Sequence, residues 1–138
     1  MSRVDLHALI EQASYAAEKM LMQGGQFVAL WFAVKADGNH DVIRDLGSLA
    51  EIRAIFERLG VVGYVFMCET SCESQPIIVF RAEDEGGVLT ASRSIERRTS
   101  RRAQLGPLML DPVGSNPGKI RSIRMWPKNA AMRGTHDR

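Results

Sequence analysis

Eight consecutive residues, Phe27-Val28-Ala29-Leu30-Trp31-Phe32-Ala33-Val34, are apolar at every position. A strand sends successive side chains to opposite faces, so this one would present hydrocarbon on both sides. Its aromatic and β-branched residues and its bounded length favour strand over helix. A strand apolar on both faces belongs in the middle of a sheet, with helices over one face and another covering layer over the other. A layered fold is therefore required.

The flanking sequence supplies the layers. Leu6, Ile10, Ala13, Ala17 and Met20 recur in steps of four and three, which places them on one stripe of a helix spanning about residues 4–22. Ser2 or Asp5 stands near its start, and Gly24-Gly25 ends it. Ala36-Asp37-Gly38-Asn39 is a turn signal, after which His40–Ile43 returns antiparallel as a short second strand.

Ser48-Leu49-Ala50-Glu51 forms a capping box. Leu49, Ile52, Ile55, Phe56 and Leu59 then make a helical apolar face, closed by Gly60. Val61–Glu69 reads as a third strand, with Val62, Tyr64, Phe66 and Cys68 on one face and Val61, Gly63, Val65 and Met67 on the other. Ser71–Gln75 reads as a loop. Pro76–Ala82 and Val88–Ile95 form a second hairpin around an acidic turn, Glu83-Asp84-Glu85-Gly86-Gly87.

Residues 1–95 are thus expected to be an α+β domain in the order α-β-β-α-β-β-β: two helices and a mostly antiparallel sheet of about five strands. In element order, residues 1–95 resemble roadblock- or profilin-like layers. That resemblance implies a sheet flanked by helices and an interface for dimerisation.

After Ile95 the texture changes. Residues 96–138 read as an irregular basic C-terminal arm, because Pro107, Pro112, Pro117 and three glycines between residues 103 and 118 interrupt any regular element. A short last strand is expected at 120–126, followed by a frayed end from Lys128. The charge is divided at nearly the same place. Residues 1–92 carry 7 Lys/Arg against 13 Asp/Glu, and residues 93–138 carry 11 against 3. An acidic body (7 − 13 = −6) is joined to a basic arm (11 − 3 = +8), beneath a near-neutral total of +2. Such a division bears on partners rather than on fold. The expected contacts to a partner or to nucleic acid are Arg93, Arg97, Arg98, Arg101, Arg102, Lys119, Arg121, Arg124 and Lys128, with Trp126 as a stacking aromatic. Arginine suits bidentate contact with phosphate and with carboxylate alike.

Motifs that carry chemistry fail on inspection. Gly114-Ser115-Asn116-Pro117-Gly118-Lys119-Ile120 imitates a phosphate-binding loop, but it has three residues between its glycines where four are needed and Ile120 where Ser or Thr is needed. Asp37, Asn39 and Asp41 imitate half a calcium loop, but Val42 and Ser48 occupy the positions that require glycine and glutamate. Cys68 and Cys72 have Glu69 and Glu73 beside them, and those carboxylates disfavour a thiolate nucleophile. With His40 they lack the second ligand pair of a zinc site. Glu69, at a strand end, is read as half of a cross-strand ion pair with Arg81 rather than as a catalytic carboxylate. The acidic residues Glu83–Glu85 are read as a solvated hairpin tip. No catalytic residue, metal or cofactor is assigned.

The two cysteines lie roughly 13 Å apart in extended chain, too far to bridge, and both are expected as reduced thiols in a cytoplasmic protein. No signal-peptide layout and no apolar run of membrane-spanning length occurs. Three functions are consistent with these features. The favoured one is a non-enzymatic protein-interaction module, homodimeric or the small subunit of a complex, whose basic arm docks on acidic surface. The second is a nucleic-acid-binding accessory protein that uses the arm. The third is a small hydrolase or ligand sensor with Glu69, Cys68 or His40 in a cleft.

Overall fold

The computed structural model of the chain describes residues 5–23, 29–45, 48–96 and 104–110. The elements are α1 (Leu6–Met22), β1 (Leu30–Lys35), β2 (His40–Arg44), α2 (Leu49–Leu59), β3 (Val61–Cys72), β4 (Gln75–Asp84), β5 (Gly87–Glu96), β6 (Gln104–Leu105) and β7 (Met109–Leu110). All strand pairs are antiparallel, in the order β2-β1-β3-β4-β5-β6, and β7 also pairs with β5. The expected α-β-β-α-β-β-β order is what forms. Phe27 and Val28 lie outside the described residues, as does the expected strand at 120–126.

The two helices lie on opposite faces of the sheet, not on one. β2 and β3 flank β1, so the connection between them must cross β1, and α2 makes that crossing on the side that α1 leaves open. Ala13 and Ala17 let α1 approach the sheet closely, and Leu9, Ile10 and Leu21 pack there with Val65, Met67, Ile78 and Phe80. On the other face Ile52 and Phe56 of α2 meet Trp31, Ala33, Val61, Tyr64 and Phe66. The Trp31 and Phe56 rings meet edge to face, 5.8 Å between centroids at 87°, and Trp31 lies 4.2 Å from Phe66. Each of the buried valine, leucine, isoleucine, methionine and phenylalanine side chains contributes about 1.5–3 kcal/mol through removal from water.

Both helix starts are capped as expected. Asp5 accepts from the Ala8 N–H at 3.2 Å, and the Ser48 hydroxyl accepts from the Glu51 N–H at 3.2 Å. Gly60 ends α2 in the left-handed conformation, φ +69°.

Three local expectations are corrected. The register between β1 and β3 shifts between Val34 and Lys35, which makes Val62 an extra residue. Val61 consequently joins the α2 cluster, while Val62 is exposed beside α1. The loop expected at Ser71–Gln75 is a two-residue turn, Glu73-Ser74, with φ +51° and +70°. Both central residues are left-handed, as in the hairpin turn that matches strand twist, so pairing extends to Cys72 and Gln75. The acidic hairpin tip is shorter than expected as well. Glu83 and Asp84 belong to β4 and are buried, leaving Glu85-Gly86 as the turn. Asp84 holds that turn by accepting from the Gly86 and Gly87 N–H groups at 2.8 and 3.0 Å.

Beyond Glu96, residues 104–110 of the expected arm are described, and they pair with the sheet. Residues 104–110 run along the outer edge of β5, pairing Leu105 with Ile95 and Leu110 with Ala91. The outer strand spends one more residue than β5 between these pairs, and Pro107, which has no N–H to donate, falls within that bulge.

Candidate interaction site

The sheet has two edges, and they differ. The β5 edge is paired by residues 104–110, whereas the β2 edge has no strand beside it among the described residues. Lys35 N–H donates to the Asn39 carbonyl at 2.8 Å, and Asp45 N–H donates to the Ala29 carbonyl at 3.2 Å. Along this antiparallel ladder Asp41, Ile43 and Asp45 bond inward to β1, so the N–H and C=O groups of His40, Val42 and Arg44 point away from the sheet. Their side chains share the α1 face. Val42 is 60% exposed beside the half-buried Phe32, which is its partner on β1.

The hairpin that ends in β2 is well fixed. Asp37 accepts from both the backbone and the side-chain amide of Asn39 at 2.9 and 3.1 Å, and Gly38 takes φ +90°. Asp41 pairs with Lys35 at 3.5 Å. The carboxylates that imitated a calcium loop are therefore turn-forming and strand-pairing groups. Between this hairpin and the first turns of α1 lies an open cleft of about 250 Å³. Ala8, Leu9, Val34 and Val62 give it apolar walls, and Asp5, Gln12, Lys35 and His40 add polar groups.

A polar cluster accompanies α2 on the opposite face. Trp31 Nε1–H donates to Asp45 Oδ1 at 3.4 Å, and the Tyr64 hydroxyl donates to Glu83 Oε1. Glu83 stands directly across from Tyr64 on the neighbouring strand and is 7% exposed. Beside it Arg81 lies between Phe66 and Thr90, with a buried Nε that has no hydrogen-bond partner among the described residues. Cross-strand register places these groups; no short motif in the sequence announced them.

Of the arginines assigned from sequence, only Arg93 lies among the described residues. Its side chain is 13% exposed and turned inward. Nε–H donates to the Gly106 carbonyl at 2.6 Å, and one terminal nitrogen donates to Ser14 Oγ at 2.9 Å and to Glu18 Oε1 at 3.0 Å. Arg93 thus ties α1, β5 and the edge segment together. Arg97, Arg98, Arg101, Arg102, Lys119, Arg121, Arg124, Trp126 and Lys128 lie outside the described residues.

No family model, curated protein or solved structure matches the chain.

The remaining candidates are separated by the fold. Glu69 is exposed on the α1 face, opposite Ile78, whereas Arg81 stands opposite Phe66 on the α2 face. The cross-strand ion pair expected between them therefore does not form. Cys68 lies on the α2 face, packed with Ile77 and Val79. His40 is level with Gly63, six residues up β3 from Glu69 and so about 20 Å away along the strand. Acid–base partners must reach one substrate within hydrogen-bonding distance, so this trio makes no catalytic site. No group of three metal-ligating side chains occurs among the described residues. No helix among them is long and apolar enough to cross a membrane.

Proposed function

We propose that this chain is a non-enzymatic protein-interaction module that forms a homodimer by pairing β2 with the β2 of a second copy. The observation that supports this reading is the difference between the two sheet edges: β5 is covered by the chain's own residues 104–110, and β2 has no strand beside it among the described residues. An open edge is a template for another strand. A two-fold antiparallel pairing centred on Val42 is the register that engages all five residues of β2. It sets Val42 against Val42 and His40 against Arg44, so every outward N–H and C=O of the strand gains a partner. The module works in the cytoplasm, where its two thiols stay reduced.

The basic arm adds a second, electrostatic attachment. Its charge of +8 over residues 93–138 complements the −6 of residues 1–92, in the same copy or in a neighbour. Light scattering across a concentration series should report a dimer, and Val42→Pro should give a monomer with unchanged circular dichroism. The Val42 N–H points away from β1, so proline there removes no bond within the subunit. A native chain that stays monomeric at high concentration overturns the reading.

The arginine content of the arm supports a second reading, a nucleic-acid-binding accessory protein. Fluorescence anisotropy with a labelled oligonucleotide should then show binding that weakens steeply with salt. It should vanish when Arg97, Arg98, Arg101 and Arg102 become alanine. A flat titration at low salt excludes it.

A further inference from the structure

In a β2–β2 pairing the two-fold axis stands perpendicular to the sheet, so both copies carry α1 on the same side. The register centred on Val42 sets the partner's Arg44 directly across from His40, and strand alternation sends both side chains to the α1 face. His40 also lines the open cleft between the β1–β2 hairpin and the first turns of α1. The mouth of each cleft therefore lies beside an arginine of the other copy. Arg44 is exposed at the end of β2 and makes no hydrogen bond or ion pair among the described residues.

We infer that this cleft receives Arg44 of a second copy, with Asp5 as its counter-ion and Gln12 as a further acceptor; the inference rests on the β2 pairing. Asp5 spends one carboxylate oxygen on the Ala8 N–H and has no partner for the other among the described residues. Gln12, seven positions on, stands on the same flank of α1 and lines the cleft with it. Lys35, the cation already in the cleft, is paired with Asp41 at 3.5 Å, which leaves the Asp5 charge to be matched. Ala8, Leu9, Val34 and Val62 offer apolar wall to the methylene stem of an arginine. The reach suffices: long side chains contact neighbours about 7–8 Å away, and His40, at the cleft's edge, is only one strand spacing from the partner's Arg44. Closed over by the second copy, such a pair is screened by salt far less than one on open surface.

Sedimentation equilibrium of the full-length wild type, Asp5→Asn, Arg44→Met and the double variant tests this. Asparagine caps a helix as well as aspartate does, so Asp5→Asn removes the charge and keeps α1. Each single change should weaken Kd by roughly 2- to 30-fold across the two symmetric contacts, and the double variant should be no weaker than Arg44→Met alone. Gln12→Glu, a change at an exposed helical position, should tighten the dimer, and the gain should disappear in the Arg44→Met background. An unchanged Kd in Asp5→Asn overturns the inference. So does an Asp5→Asn effect that persists in full without Arg44, since the charge would then act elsewhere. The edge pairing fails in a different way: a dimer that Val42→Pro breaks and Asp5→Asn leaves alone removes only the cleft contact, whereas a monomeric wild type removes both.

Discussion

Replacing Arg93 by methionine removes the guanidinium and keeps most of the aliphatic stem, which isolates the polar contribution of the clamp. The charge-assisted bond to the Gly106 carbonyl, at 2.6 Å, contributes about 1.5–3 kcal/mol. The pair with Glu18, whose side chain is 48% exposed, adds about 0.2–1 kcal/mol. Ser14 Oγ loses a donor in a buried position as well. These contributions share one group and do not add fully, so the expected loss is about 2–4 kcal/mol. For a chain of this length that corresponds to a fall in Tm of about 6–12 °C. Urea denaturation of the wild type, Arg93→Met and Arg93→Lys measures it. Lysine should recover less than half, since one ammonium cannot reach a carbonyl, a hydroxyl and a carboxylate held in different directions. Hydrogen exchange at Gln104–Leu110 should accelerate in both variants, because the clamp holds that segment to the sheet. A loss below about 1 kcal/mol in Arg93→Met, or full rescue by lysine, would refute the assignment of Arg93 to the fold's own cohesion.

Tyr64→Phe should cost about 1–3 kcal/mol by taking a donor from buried Glu83, and a double-mutant cycle with Glu83→Gln should show coupling; additive effects would count against the bond. A Cβ at Gly106 would stand 2.4 Å from Ser94 Oγ, so Gly106→Ala should cost about 0.5–1.5 kcal/mol through a displaced rotamer. Ser94→Ala should restore that loss, because the Ser94 Cβ lies at an ordinary 3.7 Å; chemical denaturation of the three variants decides it. In the β2 dimer His40→Glu places a carboxylate opposite the partner's Arg44, twice per dimer. At about 0.2–1 kcal/mol per cross-strand pair, Kd should tighten by roughly 2- to 30-fold in sedimentation equilibrium, and an unchanged Kd would exclude the Val42-centred register.

What the chain reveals to inspection follows from the range of the interactions involved. The helices and the first hairpin depend on neighbours three or four positions apart, so Asp5, Ser48, Gly60 and Asp37-Gly38-Asn39 announce them. The turn at Glu73-Ser74 is hidden because both residues adopt left-handed conformations that glycine or asparagine would have advertised. The bulge at Val62 is hidden because it arises from pairing with a strand about thirty positions earlier. The arginine contacts assigned to outside partners by charge counting have different standing. Arg97, Arg98, Arg101, Arg102, Arg121 and Arg124 lie outside the described residues, whereas Arg93 faces inward, since β-strand alternation aims it at α1 and at Glu18, seventy-five positions away.

The burial of Glu83 carries the same lesson further, because it changes what the acidic character of the body can do. A carboxylate at a hairpin tip would be available to any cation in solution. Held across from Tyr64 and screened from water, Glu83 instead accepts from the Tyr64 hydroxyl within the fold. Asp84 is likewise spent on its own turn, and Asp41 on Lys35. The surplus negative charge open to a partner is therefore smaller than residue counting gives, and it is unevenly placed. The β2 edge, where only Asp41 of its five residues is acidic, attracts a strand through backbone groups and Val42 rather than through net charge. Assembly through that edge should consequently be insensitive to salt, whereas any attachment made by the arm should weaken as salt rises. Measuring the dimer constant in 50 mM and 500 mM salt separates the two modes of attachment: an invariant constant assigns assembly to the edge, and a steep fall assigns it to the arm.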